Sequence, residues 1–128
     1  IRGRCKDMKN TTSGYKSHHK FLMSSPSKIR RIADHIRNKS YPEAMAILEN
    51  LPHKGARLLK KAVQSAASNA LSLNRNIDEE SLFVKTLLID DGPRMKRVWA
   101  RGKGRRDLLL KRMSHILVVI DEKGKKGE

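Results

Sequence analysis

Residues 82–120 read LFVKTLLIDDGPRMKRVWARGKGRRDLLLKRMSHILVVI, and the fold turns on how the middle of this stretch is understood. Leu82–Asp90 (LFVKTLLID) and His115–Ile120 (HILVVI) carry the β-branched and apolar residues of two strands, which would pair antiparallel. Between them lie residues 91–114, far more than the two to five or so residues that usually connect a hairpin, and no core-facing pattern runs through them. If this connection continues both strands as a ribbon, about ten residues per arm at ~3.3 Å each carry its tip about 30 Å beyond the domain. A lone two-stranded ribbon is marginal in water, so such an extension calls for a partner that holds it.

Working outward, helical signals precede the first of these strands. Ser25-Pro26 can start a helix, because the serine hydroxyl accepts from a free N–H and proline at the first position gives up no bond. Ile29, Ile32, Ala33 and Ile36 then recur at helical spacing, which predicts a basic amphipathic helix ending near Asn38. Tyr41-Pro42 opens a second, short helix with Ala44, Ile47, Leu48 and Leu51 as its stripe, and Pro52 ends it. The longest helix is predicted from His53 to Asn74, on Leu59, Ala62, Val63, Ala66, Ala67, Ala70 and Leu73. Its largely alanine face would let another element approach closely. Lys54, Arg57, Lys60 and Lys61 crowd the start of that helix against the preference of its dipole, which points to a ligand for these charges. Near the N-terminus, Tyr15–Met23 suits a short strand with Lys16, His18 and Lys20 on one side and Tyr15, Ser17, His19 and Phe21 on the other.

These elements predict an α+β fold: three helices packed on a small antiparallel sheet, with a long protruding β-hairpin. A flexible basic arm over residues 1–14, one domain over 15–122 containing the hairpin 91–114, and a disordered Gly- and Lys-rich tail over 123–128 complete the organisation.

The balance of charge narrows the partner. The chain has 128 residues and 29 Lys and Arg against 13 Asp and Glu, a formal net charge of +16. That density repels itself unless a polyanion neutralises it. Leu, Ile, Val and Phe make up about 23% of the chain, just above the ~20% below which a highly charged sequence stays disordered. The longest apolar runs, Leu108–Leu110 and Ile116–Ile120, fall far short of the ~20 residues of a membrane span. No secretory apolar region is visible. Cys5 is the only cysteine, so no intramolecular disulfide or cysteine-based zinc site is expected, and a reducing setting fits. His18-His19 lacks further ligands at metal spacing, and His115 has neither nucleophile nor carboxylate beside it, so neither a metal nor a cofactor is expected. Gly102-Lys103-Gly104 has neither the spacing nor the Ser/Thr of a phosphate-binding loop.

The connection concentrates Arg94, Lys96, Arg97, Arg101, Lys103, Arg105, Arg106, Lys111 and Arg112 against Asp91 and Asp107. Most of these cations are arginine, which grips phosphate bidentately and stacks on bases, so RNA of irregular structure suits them. Trp99 offers a stacking surface, although a lone tryptophan can equally pack as core. Gly102 and Gly104 allow a tight reversal at the tip. The same reading assigns RNA contacts to Lys16, His18, Lys20, Lys28, Arg31, Lys60 and Lys61.

Four separated motifs make this more specific. S-S-P-S-K-I-R-R-I-A-D-H-I-R, K-K-A-V-Q-S-A-A-S-N-A, D-D-G-P-R-M-K-R-V-W-A-R-G-K-G-R-R-D and K-R-M-S-H-I occur in order, and with them the chain resembles the large-subunit ribosomal protein twenty-two family of the bacterial type over about Lys20 to Asp121. The resemblance implies an α+β domain on the subunit surface and a hairpin that reaches through the RNA to line the nascent-peptide exit tunnel. It places Arg101, Lys103 and Arg105 at or near the tip, and Met95, Lys96 and Arg97 on the arm near the constriction. The family usually has proline at the position of Ala100 and a small residue at that of Arg106. The implied partners are large-subunit ribosomal RNA, neighbouring large-subunit proteins and the nascent polypeptide, with no membrane and no homo-oligomer. The implied location is a cytoplasmic ribosome, an organellar one being the other setting.

Two other functions compete. A free-standing RNA-binding regulator or chaperone would use the same basic surfaces, although a repressor should show a helix-turn-helix and a dimer interface, and neither is visible. A phosphate-handling enzyme would need clustered catalytic groups that the sequence does not offer, so no enzymatic activity is expected.

Overall fold

Residues 14–122 are described in the computed structural model of the chain; residues 1–13, with Cys5 and nearly all of the expected basic arm, and the tail from Lys123 lie outside them. The two strands read from the sequence are β2 (Leu82–Ala100) and β3 (Arg106–Glu122), paired antiparallel from Leu82 against Glu122 to Ala100 against Arg106. On the other side of β3 lies β1 (Tyr15–Leu22), antiparallel from Tyr15 against Ile120 to Leu22 against Ser114. The order β1-β3-β2 makes β3 the central strand. The three helices are α1 (Pro26–Ala33), α2 (Tyr41–Asn50) and α3 (Lys54–Leu73). The fold is therefore α+β, three helices on a small antiparallel sheet from which a long hairpin protrudes.

The alanine face of α3 explains how the layers meet. Ala62, Ala66, Ala67 and Ala70 are buried with Leu59 and Val63, in one cluster with Ile116, Val118 and Ile120 of β3 and Val84, Leu87 and Ile89 of β2. Methyl side chains let a helix backbone come close to a sheet, so larger residues on the strands fill the space between. Ile29 and Ile32 of α1 and Ala44 and Leu48 of α2 close the cluster at its sides. Leu73 departs from its predicted role: as the last residue of α3 it is 73% exposed.

Two further departures follow from the sheet competing for backbone. The apolar spacing predicts α1 to continue to about Asn38, but regular helix stops at Ala33. The next residues tighten into turns, with the His35 and Ile36 N–H groups donating to Ile32 and Ala33 carbonyls at 3.1 and 3.2 Å. Asn38 is left-handed (φ 60°); its N–H donates to the Val84 carbonyl at 3.1 Å, and the Val84 N–H donates to the Lys39 carbonyl at 2.9 Å. The edge of β2 thus takes over the chain, while Ile36 stays buried as its spacing requires. In β1, the register slips between His19 and Leu22, and Phe21 has φ 56°. This bulge turns Phe21 away from the side it shares by simple alternation with Ser17 and His19, and its ring meets His115 edge-on at 5.0 Å.

The hairpin departs from the body at a second irregularity, between Asp91 and Arg94, where Gly92 and Pro93 sit. Proline is tolerated there because a bulge needs no ladder N–H. Arg30 of α1 braces this root: its guanidinium donates to the Ile89 carbonyl at 2.9 and 3.3 Å and to Asp91 at 3.2 Å. A Cβ on Gly92 would stand 2.9 Å from the Met113 carbonyl carbon and 3.0 Å from its oxygen, both backbone atoms. Gly92→Ala is therefore expected to destabilise the domain by about 1–3 kcal/mol, as overpacking does. Urea denaturation checks this; an unchanged midpoint would show that β3 can move aside at no cost.

Candidate nucleic-acid interface

Beyond the root, the ribbon runs through Arg94 against Arg112, Met95 against Lys111, Lys96 against Leu110, Arg97 against Leu109, Val98 against Leu108 and Trp99 against Asp107. At ~3.3 Å per residue the ten residues from Asp91 to Ala100 carry the tip about 30 Å from the body. Both carboxylates of the segment are engaged, Asp91 by Arg30 and Arg94, and Asp107 by Arg101 at 2.6 Å. Lys96, Arg97, Lys103, Arg105, Arg106, Lys111 and Arg112 make no ion pair among the described residues.

Opposed residues of an antiparallel pair share a face, so both faces of the ribbon mix cations with apolar groups. Val98, Leu108 and Leu110 stand with Lys96 on one face; Trp99, Leu109 and Met95 stand with Arg97 and Lys111 on the other. Val98 is 67%, Leu108 60% and Trp99 56% exposed, so Trp99 is not core. A ribbon lying on a surface needs one apolar face. Two such faces suit a ribbon enclosed on both sides. The sequence shows Leu108–Leu110 plainly, but only the register reveals that they alternate between the faces.

The tip is tied by the Arg101 N–H donating to the Arg105 carbonyl at 2.9 Å and the Arg105 N–H to the Gly102 carbonyl at 3.3 Å. Gly104 takes φ 68°, as a reversal requires, but the second left-handed residue is Lys103 (φ 58°) rather than Gly102. A cation therefore stands at the outermost turn under backbone strain of about 1–2 kcal/mol.

The remaining predicted residues fall in three places. Lys16, His18 and Lys20 lie on the exposed side of β1, with the redirected Phe21 beside them. His18 and His19 face opposite ways; His19 Nε2 bonds the Ser17 hydroxyl at 3.0 Å, and His18 meets His115 edge-on at 6.4 Å. Partial desolvation, then Lys20 and His115, lower the His18 pKa from 6.5, with Asp90 opposing, so at neutral pH this histidine is uncharged. Lys28 and Arg31 of α1 line an open cleft at the hairpin root together with Lys111 and Arg112. Lys60 and Lys61 lie on α3 and do not line that cleft. Lys60 is paired with Glu49 at 2.9 Å, and Lys54 donates to the Met23 carbonyl at 3.1 Å, so part of the charge crowding α3 has intramolecular partners after all.

Among the described residues no helix is long and apolar enough to cross a membrane, and no three potential metal ligands converge. Residues 17–121 match the family described as ribosomal protein L22p/L17e. The chain belongs to the L22p/L17e family of ribosomal proteins. It is similar to the large ribosomal subunit protein uL22 of Treponema denticola, 60% identical over 111 residues that cover 87% of this chain and 94% of the relative. Similarity to the protein of the same name from Treponema pallidum is 54% over 108 residues, covering 84% and 87% of the two chains. For Borreliella burgdorferi it is 52% over 109 residues, covering 85% and 91%. As a member of the L22p/L17e family this chain is a ribosomal component and not an enzyme.

The tip geometry has a direct test. Gly104→Ala is expected to loosen the turn by about 1 kcal/mol, Lys103→Gly to tighten it by a similar amount, and Gly102→Ala to leave it unchanged. Amide exchange at Arg101 and Arg105 reports the difference, and an equal effect at Gly102 and Gly104 would contradict the turn described.

The lowered His18 pKa gives a pH dependence of known sign. The unfolded chain takes up this proton first, so the stability from neutral His18 is complete above pH 6.5 and declines as pH falls below it. Thermal midpoints of the free protein between neutral and acid pH should therefore fall less in His18→Asn than in the natural chain. Parallel profiles would count against the assignment.

Proposed function

We propose that this chain, a structural constituent of the large ribosomal subunit by its family, forms a single RNA-binding domain over residues 15–122 that binds and stabilises large-subunit ribosomal RNA. In this reading it supports subunit assembly, and its hairpin lines the nascent-peptide exit tunnel of a cytoplasmic ribosome. The observation that carries it is the ribbon itself: seven cations without ion pairs among the described residues and apolar groups on both faces, on a hairpin whose tip stands about 30 Å from the core. Phosphates neutralise such a strip, and the apolar groups on either face gain cover when RNA surrounds them. Arg101, Lys103 and Arg105 at the turn then stand nearest the tunnel lumen, with Met95, Lys96 and Arg97 on the arm near its constriction. Neighbouring large-subunit proteins meet the domain, and the nascent polypeptide passes the tip.

Sedimentation of a cell lysate at low magnesium tests the reading, with the protein followed against markers of both subunits. Stoichiometric migration with the large subunit, surviving a moderate salt wash, is the expected result. A peak at the top of the gradient would transfer the assignment to a free RNA-binding regulator. Deleting Met95 to Arg97 should leave the core folded while altering the tunnel; a lower melting midpoint of the purified variant's core would contradict the hairpin's independence.

A further inference from the structure

The cleft at the hairpin root brings apolar side chains and unpaired cations together in a concave site. It measures about 1040 Å³, just above the ~300–1,000 Å³ common for ligand sites. Met23, Ile32, Leu51, Leu110 and Met113 supply its apolar lining. Lys28 and Arg31 come from α1, and Lys111 and Arg112 come from β3. Among the described residues no carboxylate lines it and none of these four cations makes an ion pair, while a fifth, Lys54, donates to the Met23 carbonyl at 3.1 Å. His35 and His53 add planar rings to the same lining. An apolar interior with unpaired cations around it matches a ligand that has a flat, weakly hydrated body and more than one negative charge. A nucleotide of a single strand has both, whereas a base-paired helix presents only its phosphates to such a cleft. The cleft also continues into the ribbon through Leu110–Met113, so one RNA strand can follow the hairpin and enter it.

We propose that this cleft seats one unpaired RNA nucleotide, its base against Met23, Leu51 and Met113 and its flanking phosphates on Lys28, Arg31, Lys111 and Arg112. Methionine side chains adapt to different rings, so the seat selects for an unpaired base more than for its identity. The inference rests on the RNA-binding reading given above, and its test separates the two.

The probe is a fluorescent single-stranded RNA hexanucleotide, titrated with the purified full chain at low salt beside an abasic hexanucleotide and a duplex of the same length. A folded large-subunit RNA transcript is titrated in parallel. The double variant Lys28→Glu/Arg112→Glu should bind the hexanucleotide about tenfold or more weakly, and the charge-matched Lys39→Glu/Arg75→Glu, at exposed positions outside the cleft, should change it less than threefold. Removing the bases should weaken binding several-fold, and the duplex should bind no better than the abasic strand. Both variants are surface substitutions, and an unchanged melting midpoint confirms that each is folded. Equal affinity for intact and abasic strands, equal loss in both variants, or competition by polyglutamate as effective as that by RNA would overturn the proposal. If the natural chain binds the folded transcript but the cleft variant binds the hexanucleotide as tightly as the natural chain does, only the nucleotide seat fails. If it binds neither RNA, the RNA-binding reading fails with it.

Discussion

The continuity of β3 is the constraint on which the structure depends. One strand runs from Arg106 to Glu122, and its two halves live in different environments. Between Ser114 and Ile120 it is the middle of a three-stranded sheet, with Ile116, Val118 and Ile120 under the helices. Between Arg106 and Leu109 it has β2 as its only strand neighbour and is exposed to solvent. β3 runs unbroken across that boundary while its pairing with β2 shifts register at the Asp91–Arg94 bulge, so the core half and the bulge together set how the exposed half presents its side chains. The Arg30 brace and the close contact of Gly92 with Met113 sit at the boundary itself, where bending would be easiest.

That arrangement separates two tasks. The helices and the sheet bury enough apolar surface to fold, with α3 brought close by its alanines. The hairpin contributes little to this core and carries charge that opposes folding in isolation. Its free cations, its exposed Trp99, Val98 and Leu108, and the strained Lys103 at its tip are all unfavourable for a free protein in water. They become favourable when a polyanion with flat apolar bases surrounds the ribbon. The cleft at the root repeats the combination on a smaller scale, with an apolar lining inside unpaired cations.

The chain belongs to the L22p/L17e family of ribosomal proteins, and its matched residues 17–121 include both the folded body and the hairpin. Some basic residues nevertheless serve the body. Lys60 pairs with Glu49, Arg30 holds the hairpin root and Arg37 reaches Asp34 at 2.6 Å, so a positive net charge does not make every cation a ligand contact.

The sequence by itself determined the fold class, because hydrophobic period is local: α2 and α3 begin and end within a residue or so of their expected bounds, and an overlong connection between two strands can be little else than an extended ribbon. It also pointed to a polyanionic partner, since a net charge of +16 repels itself without one. Tertiary structure decided what depends on contacts between distant segments. The edge of β2 ended α1 at Ala33 by taking the Asn38 N–H, and a bulge against β3 turned Phe21 to the exposed side. Strand register distributed Leu108–Leu110 between two faces, and the turn set its left-handed residues at Lys103 and Gly104. The cleft joins Met23 to Met113 through three separate segments, 23–35, 51–55 and 110–113. No local pattern encodes such a junction, because its residues become neighbours only when the helices close over the sheet.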